Sequence, residues 1–254
     1  MKIIAFANRK GGVGKTSLCL HTAGVLAESG RRTLIVDMDE QGDISQLFVE
    51  ALYDVRPTVA DLLRFEPEVS PEEVIRPTPI EGIDILPANW DLGDIDERLA
   101  GDYDSEYYLL DALKQVRDRY DYLLIDTPPY SGRASRLALV ASDGVVVPLE
   151  CDRWSFAGAQ RMVAYVDRIQ RRPNPNLRLL GFLINKYSAQ RTVEREYERA
   201  IRAAHGELVF KTVFGSLVAF KEAATAGTPI THYEAGGDKA DIARHFVEEL
   251  LARG

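Results

Sequence analysis

The apolar run KIIAFA at 2–7 leads through Asn8 and Arg9 into KGGVGKTS at 10–17, and a helical pattern follows over 16–29. A strand that turns through three glycines into a helix has few ways to fold. Gly11, Gly12 and Gly14 let the backbone bend so that its N–H groups converge, and the helix adds the positive end of its dipole. Such a loop cradles phosphate oxygens. Gly11, Gly12, Val13, Gly14, Lys15, Thr16 and Ser17 make up the expected nucleotide cradle. Lys15 reaches towards the β- and γ-phosphates, and Thr16 offers its hydroxyl to Mg²⁺.

The rest of the chain supports the same reading. Short apolar runs at 33–37, 83–88, 122–126, 144–150 and 179–185 lack polar alternation, so they read as strands buried on both faces. Helical patterns lie between them at 105–119, 155–171, 191–204 and 238–252. This alternation predicts an α/β fold: a doubly wound, mostly parallel sheet flanked by helices on both faces, which with the glycine loop reads as a single P-loop domain over 1–254. Residues 51–82, broken by Pro57, Pro67, Pro71, Pro77 and Pro79, read as an excursion between core elements.

Two acidic positions complete the phosphate chemistry. Asp126 ends the run YLLID before Thr127-Pro128-Pro129, where a carboxylate can hold Mg²⁺ through water. In VDMDEQGD at 36–43, Asp37 ends a strand and Asp39 lies two residues on. One of the two acids can serve the metal (Asp37, with Thr16 and Asp126), while the other polarises an attacking water. Without the glycine loop, the same acids read as turn formers or a solvated loop.

Composition excludes several classes. The net charge is −8, so any nucleic-acid contact must come from a local patch. The chain's two cysteines, Cys19 and Cys151, form no metal motif, and Cys19 reads as a core residue. No apolar run approaches the ~20 residues that cross a bilayer, and no export signal is seen, so the expected location is cytoplasmic.

Together these segments resemble the ParA/MinD/Soj ATPases with a deviant Walker A motif, marked by the second lysine, Lys10, in KGGVGKT. VDMDEQGD is similar to that family's switch I, LLIDTPP to its switch II, and KEAATAGTPITHYE to its late segment. INK at 184–186 resembles the strand end beside adenine. The resemblance implies ATP and Mg²⁺ as cofactors and a homodimer formed on ATP binding. Lys10 then reaches the partner's phosphates, Lys15 and Thr16 serve the chain's own nucleotide, Asp39 positions the hydrolytic water and Asn185 contacts adenine. Glu40 and Asp43 depart from the family's usual D-P-Q-G-N, and Ser216, Ala219 and Phe220 stand in the late segment where many members carry arginines, with Lys221 the nearest cation.

Within the family, the C-terminal helix carries Glu248 and Glu249 and little basic charge, which argues against a membrane anchor. The short ParA type remains, implying nonspecific DNA binding in plasmid or chromosome partition, a ParB-like or cargo-adaptor partner, and nucleoid association. Arg191, Arg195, Arg199 and Arg202 fall at roughly 0°, 40°, 80° and 20° around a helix, at about 100° per residue. Val193, Tyr197, Ala200, Ile201 and Ala204 take the opposite side. The four arginines are therefore the expected DNA-binding stripe, with a solvated, ion-paired face as the plain alternative. Arg161, Arg168, Arg171 and Arg172 form a second basic cluster, readable as helix-end charge. Two other functions stay open: a nucleotide switch acting mainly through a protein partner, and a ligase of the dethiobiotin-synthetase or cobyrinate-amidase type, against which Lys10 argues.

Overall fold

The computed structural model describes residues 1–129, 132–216 and 218–254, with only the backbone at residue 53. In chain order the elements begin β1 (Lys2–Phe6), α1 (Lys15–Glu28), β2 (Thr33–Asp37), α2 (Val59–Leu62), α3 (Pro71–Val74) and β3 (Arg76–Pro77). They continue with β4 (Ile83–Leu86), α4 (Ile95–Arg98), α5 (Tyr108–Gln115), β5 (Tyr122–Asp126), α6 (Arg133–Ala141) and β6 (Gly144–Leu149). The last are α7 (Arg153–Gln170), β7 (Arg178–Tyr187), α8 (Thr192–His205), β8 (Val209–Gly215), α9 (Val218–Thr225), α10 (Ile230–Tyr233) and α11 (Asp238–Arg253).

All strands join one sheet in the order β3-β4-β2-β5-β1-β6-β7-β8. Every pairing is parallel except the short β3–β4 pair. The absence of alternation in the strands has a direct cause. In β1, Ile3 and Ala5 point into one core and Ile4 and Phe6 into the other. β5 does the same, with Leu123 and Ile125 on one side and Leu124 on the other. Helices α2 to α8 cover the first face; α1, α9, α10 and α11 cover the second. The doubly wound, mostly parallel sheet expected from the sequence is thus observed.

The excursion at 51–82 contributes to the core. Two capping boxes start its helices: Thr58 N–H donates to Asp61 Oδ2 at 2.8 Å, and Ser70 N–H to Glu73 Oε2 at 2.7 Å. They turn Val59, Leu62, Leu63 and Val74 inward. The edge strands β3 and β8 and helices α6 and α9 were not expected from the sequence. The C-terminal helix packs on the second face, burying Phe246, Val247 and Leu250, while Leu251 stays 39% exposed. No described helix is long and apolar enough to cross a membrane.

Two parallel registers position the site. Asp126 pairs in register with Phe6 on one side and with Asp37 on the other. The carboxyl ends of β1, β2 and β5 therefore stand level, where ligands bind in open parallel sheets.

The second face is tied to the phosphate loop through His21 of α1. Its Nδ1 accepts the Ile230 N–H at 3.1 Å, so the neutral ring carries its proton on Nε2, 3.1 Å from Ser17 Oγ. Gly24 sits opposite Pro229, where a Cβ would stand 2.2 Å from the proline Cβ. Burial depresses the His21 pKa from 6.5 to about 4. Above the upper value the ring is neutral in both folded and unfolded chains. Between the two values only the unfolded chain takes up the proton, so stability falls as pH drops through that window, by about 3 kcal/mol. Urea unfolding across this range should show a clearly shallower acid-side loss in His21→Gln; an unchanged slope would contradict the assignment.

Candidate active site

The loop after β1 turns through Gly12 at φ 73° and Gly14 at φ 91°, both left-handed. Gly14 also has no room for a side chain, since a Cβ would lie 2.3 Å from Asn185 Nδ2. α1 then starts at Lys15 with no side-chain cap and no acidic residue in its first turn. Its first N–H groups are left to an anion at the positive end of a 14-residue helix. Lys15 is 6% exposed, and burial lowers its pKa against the pull of Asp126, Asp39 and Asp43.

Two features found only in the structure hold the loop. Asn185, at the end of β7, donates from Nδ2 to the Val13 carbonyl at 2.8 Å and accepts the Lys186 N–H on Oδ1 at 2.9 Å. Lys186 Nζ donates to the Gly12 carbonyl. The structure thus places Asn185 as a brace beneath the phosphate loop, a role that the expected adenine contact did not include. Lys10 Nζ lies 2.5 Å from Glu150 Oε2 and 2.6 Å from Asp152 Oδ2, both on its own chain. Partial burial lowers the Lys10 pKa, but the bonds to Asp152 and Glu150 outweigh it and leave it raised. Glu150 and Asp152 had carried no role in the sequence reading; an acid pair just past a buried strand that runs beside β1 was the available signal.

The acids divide into two roles. Asp37 is fully buried, and both of its oxygens are engaged: Oδ1 accepts the Asp39 N–H at 3.0 Å, and Oδ2 accepts the Ser45 N–H at 3.2 Å and hydroxyl at 2.6 Å. Ser45 Oγ in turn accepts the Ala88 N–H at 3.0 Å. Asp37 therefore anchors the 38–45 loop, which differs from the metal ligand expected of it. Asp126 is the opposite case, because its Oδ1 is buried with no hydrogen-bond partner among the described residues. Burial raises its pKa, Asp37 adds to the rise, and Thr16 and Lys15 oppose it. A buried carboxylate oxygen without a donor, beside a threonine hydroxyl and an uncapped helix start, fits a magnesium ion carried in with phosphates. Asp39 lies near enough to Lys15 for the ammonium to lower its pKa, although burial raises it overall. Of the two departures in switch I, Glu40 turns away against Gly93, while Asp43 faces Lys15.

The arginines of α8 do not form the expected open stripe. Only Ile201 is fully buried there, and Val193 is 60% exposed. The helix is rolled so that Glu194 and Glu198 face the end of β7, accepting from Ser188 N–H at 2.7 Å and Tyr187 hydroxyl at 2.8 Å. These acids also hold Arg191 at 2.7 Å and Arg202 at 2.9 Å. Arg202 further donates to the Phe210 carbonyl, and Arg195 to the Ala189 carbonyl. Arg199 is the one of the four without a hydrogen bond or ion pair among the described residues.

Comparison with known proteins agrees with this geometry. Residues 1–179 match the AAA domain family. The chain is 32% identical to the sporulation initiation inhibitor protein Soj of Bacillus subtilis, over 100% of this chain and 99% of that one. It is 36% identical to the chromosome-partitioning ATPase Soj of Thermus thermophilus, over 98% and 95% of the two chains. The chain belongs to the Soj/ParA ATPase family. A solved structure described as cobyrinic acid a,c-diamide synthase from Mycobacterium smegmatis with bound ADP and magnesium superposes with a TM-score of 0.85 at 28% identity, over 98% of this chain and 94% of that one. In this Soj/ParA-family chain both cysteines are buried, and burial pushes the Cys151 thiol up to about 12.

The brace and the base-contact roles of Asn185 separate experimentally. Removing one buried amide bond costs about 1 kcal/mol or more. Asn185→Ala should therefore weaken ATP and GTP binding alike, by roughly five- to tenfold in calorimetry. A loss confined to ATP would mark a base contact instead.

Proposed function

We propose that this chain is an ATP- and magnesium-dependent dimerisation switch that binds DNA without sequence preference and hydrolyses ATP to move or position DNA or another cargo. The observation that carries the reading is Lys10. It stands at the head of the phosphate loop, 33% exposed in its side chain and held by two carboxylates rather than by the loop. A cation parked at the open edge of a phosphate site is available to a second subunit's nucleotide. ATP then favours the dimer, because its phosphates gain a cation from each chain.

Within one subunit the loop N–H groups and Lys15 bind the β- and γ-phosphates. Magnesium would be held by Thr16 and Asp126 and, when bound, would supply neutralising charge on those phosphates. Asp39 accepts a hydrogen bond from the attacking water and aims it at the γ-phosphorus. The new P–O bond forms as the β–γ bridge breaks, giving ADP and inorganic phosphate. Hydrolysis removes the bridging phosphate and frees the dimer and its DNA. A ParB-like or adaptor protein that stimulates this step would set the cargo.

A second reading, a switch with little DNA binding that works through a protein partner, is favoured by the net charge of −8 and the extra acids of switch I. ATP turnover measured with and without DNA separates the two. The leading reading expects stimulation of several-fold or more by DNA, whereas none at low salt would favour the protein-directed switch. Asp39→Ala should lower turnover by about tenfold or more and accumulate an ATP-bound dimer in size-exclusion runs. Unchanged turnover in that variant removes Asp39 from the mechanism.

A further inference from the structure

We propose that the duplex DNA backbone is held along α7, by Arg153, Arg161 and Arg168 with Arg9 at its head, rather than along α8. The inference rests on the DNA-binding reading above and assigns its surface. α7 is set by its N-cap, where Asp152 Oδ1 accepts the Ser155 N–H at 2.7 Å. Its buried residues are Ser155, Ala159, Met162, Val166 and Ile169. At about 100° per residue these centre on one direction, and Arg153, Ala157, Arg161, Ala164 and Arg168 centre on the opposite one. The arginines thus lie on the side of the helix turned away from the core, with Ala157 and Ala164 between them. None of Arg9, Arg153, Arg161 and Arg168 forms an ion pair or side-chain hydrogen bond among the described residues. The one acid on the helix flank, Asp167, is held by Arg171 at 2.8 Å.

α8 offers the reverse arrangement. Glu194 and Glu198 lie inward and hold two of its arginines, and a third arginine bonds to a carbonyl. Counterion release requires cations that are free to meet phosphate, which α7 supplies and α8 largely does not. At 1.5 Å rise per residue, Arg153, Arg161 and Arg168 stand about 12 and 10.5 Å apart along the axis, spanning about 22 Å. Measured along a duplex axis, that is roughly six to seven base-pair rises at about 3.4 Å each.

The stripe also begins where ATP acts. A cavity of about 420 Å³ between the head of α7 and the phosphate loop is lined by Asn8, Arg9, Lys10, Arg153, Trp154 and Arg161, among others. Trp154 is 76% exposed at its mouth. Dimerisation on ATP places two stripes in one particle, which ties DNA affinity to nucleotide state.

The test is fluorescence anisotropy of a labelled mixed-sequence duplex with the full chain, a non-hydrolysable ATP analogue and magnesium, over a series of salt concentrations. Arg161→Ala/Arg168→Ala is compared with Arg195→Ala/Arg199→Ala; basal turnover without DNA and melting temperature report that each variant is folded. The α7 pair should lose about tenfold or more in affinity, and its log–log salt slope should flatten by about 0.9 for each phosphate contact removed. The α8 pair should lose less. Wild-type affinity and slope in the α7 pair, or a larger loss in the α8 pair, overturns the assignment while leaving the DNA-binding reading intact. A wild-type chain that does not bind DNA in any nucleotide state overturns both.

Discussion

Two carboxylates that end adjacent parallel strands in the same register, Asp37 and Asp126, govern this structure. Both are buried, and both resist ionisation because of it. The fold handles them differently. Asp37 is given two backbone N–H groups and a hydroxyl, so its charge becomes the anchor of the switch I loop. Asp126 is given Thr16 and the nearby Lys15, and one oxygen is left without a donor among the described residues. A buried anion that is only partly compensated is costly unless a cation arrives. The phosphate loop, uncapped and rich in backbone donors, is built to bring that cation with its anionic ligand.

A second cluster of charge lies at the open edge of the same loop. Lys10 neutralises Glu150 and Asp152, and Lys186 approaches Glu150 at 3.6 Å while gripping the Gly12 carbonyl. The ends of β6 and β7 thus report on the loop from the side opposite to Asp37 and Asp126. Switch I on one flank and the Lys10 cluster on the other meet at a single phosphate loop.

Much of this was legible in the residues. Glycines at 11, 12 and 14 between an apolar strand and a helix have one common purpose, and strands buried on both faces show it by lacking alternation. The edge strand β8 was harder: VFKTVFG is mixed in polarity because only one neighbour covers it. The roll of α8 was not legible, because Glu194 and Glu198 look solvent-directed until the backbone and tyrosine at the end of β7 are seen to receive them. Arginines without ion pairs among the described residues lie instead on α7, where sequence spacing suggested only helix-end charge. Asn185 and the Glu150–Asp152 pair depend on parallel neighbours about 140 or more positions away in the chain, which no local pattern encodes.

If nucleotide phosphates recruit Lys10 across a subunit boundary, the mass of the particle in solution depends on ATP and on that lysine. Light scattering should find the chain at 28.3 kDa without nucleotide and at about twice that mass with magnesium and a non-hydrolysable ATP analogue. Lys10→Ala should stay at the single-chain mass while still binding nucleotide. A wild-type chain that remains at 28.3 kDa under saturating nucleotide, or a Lys10→Ala variant that doubles as readily, would contradict the account.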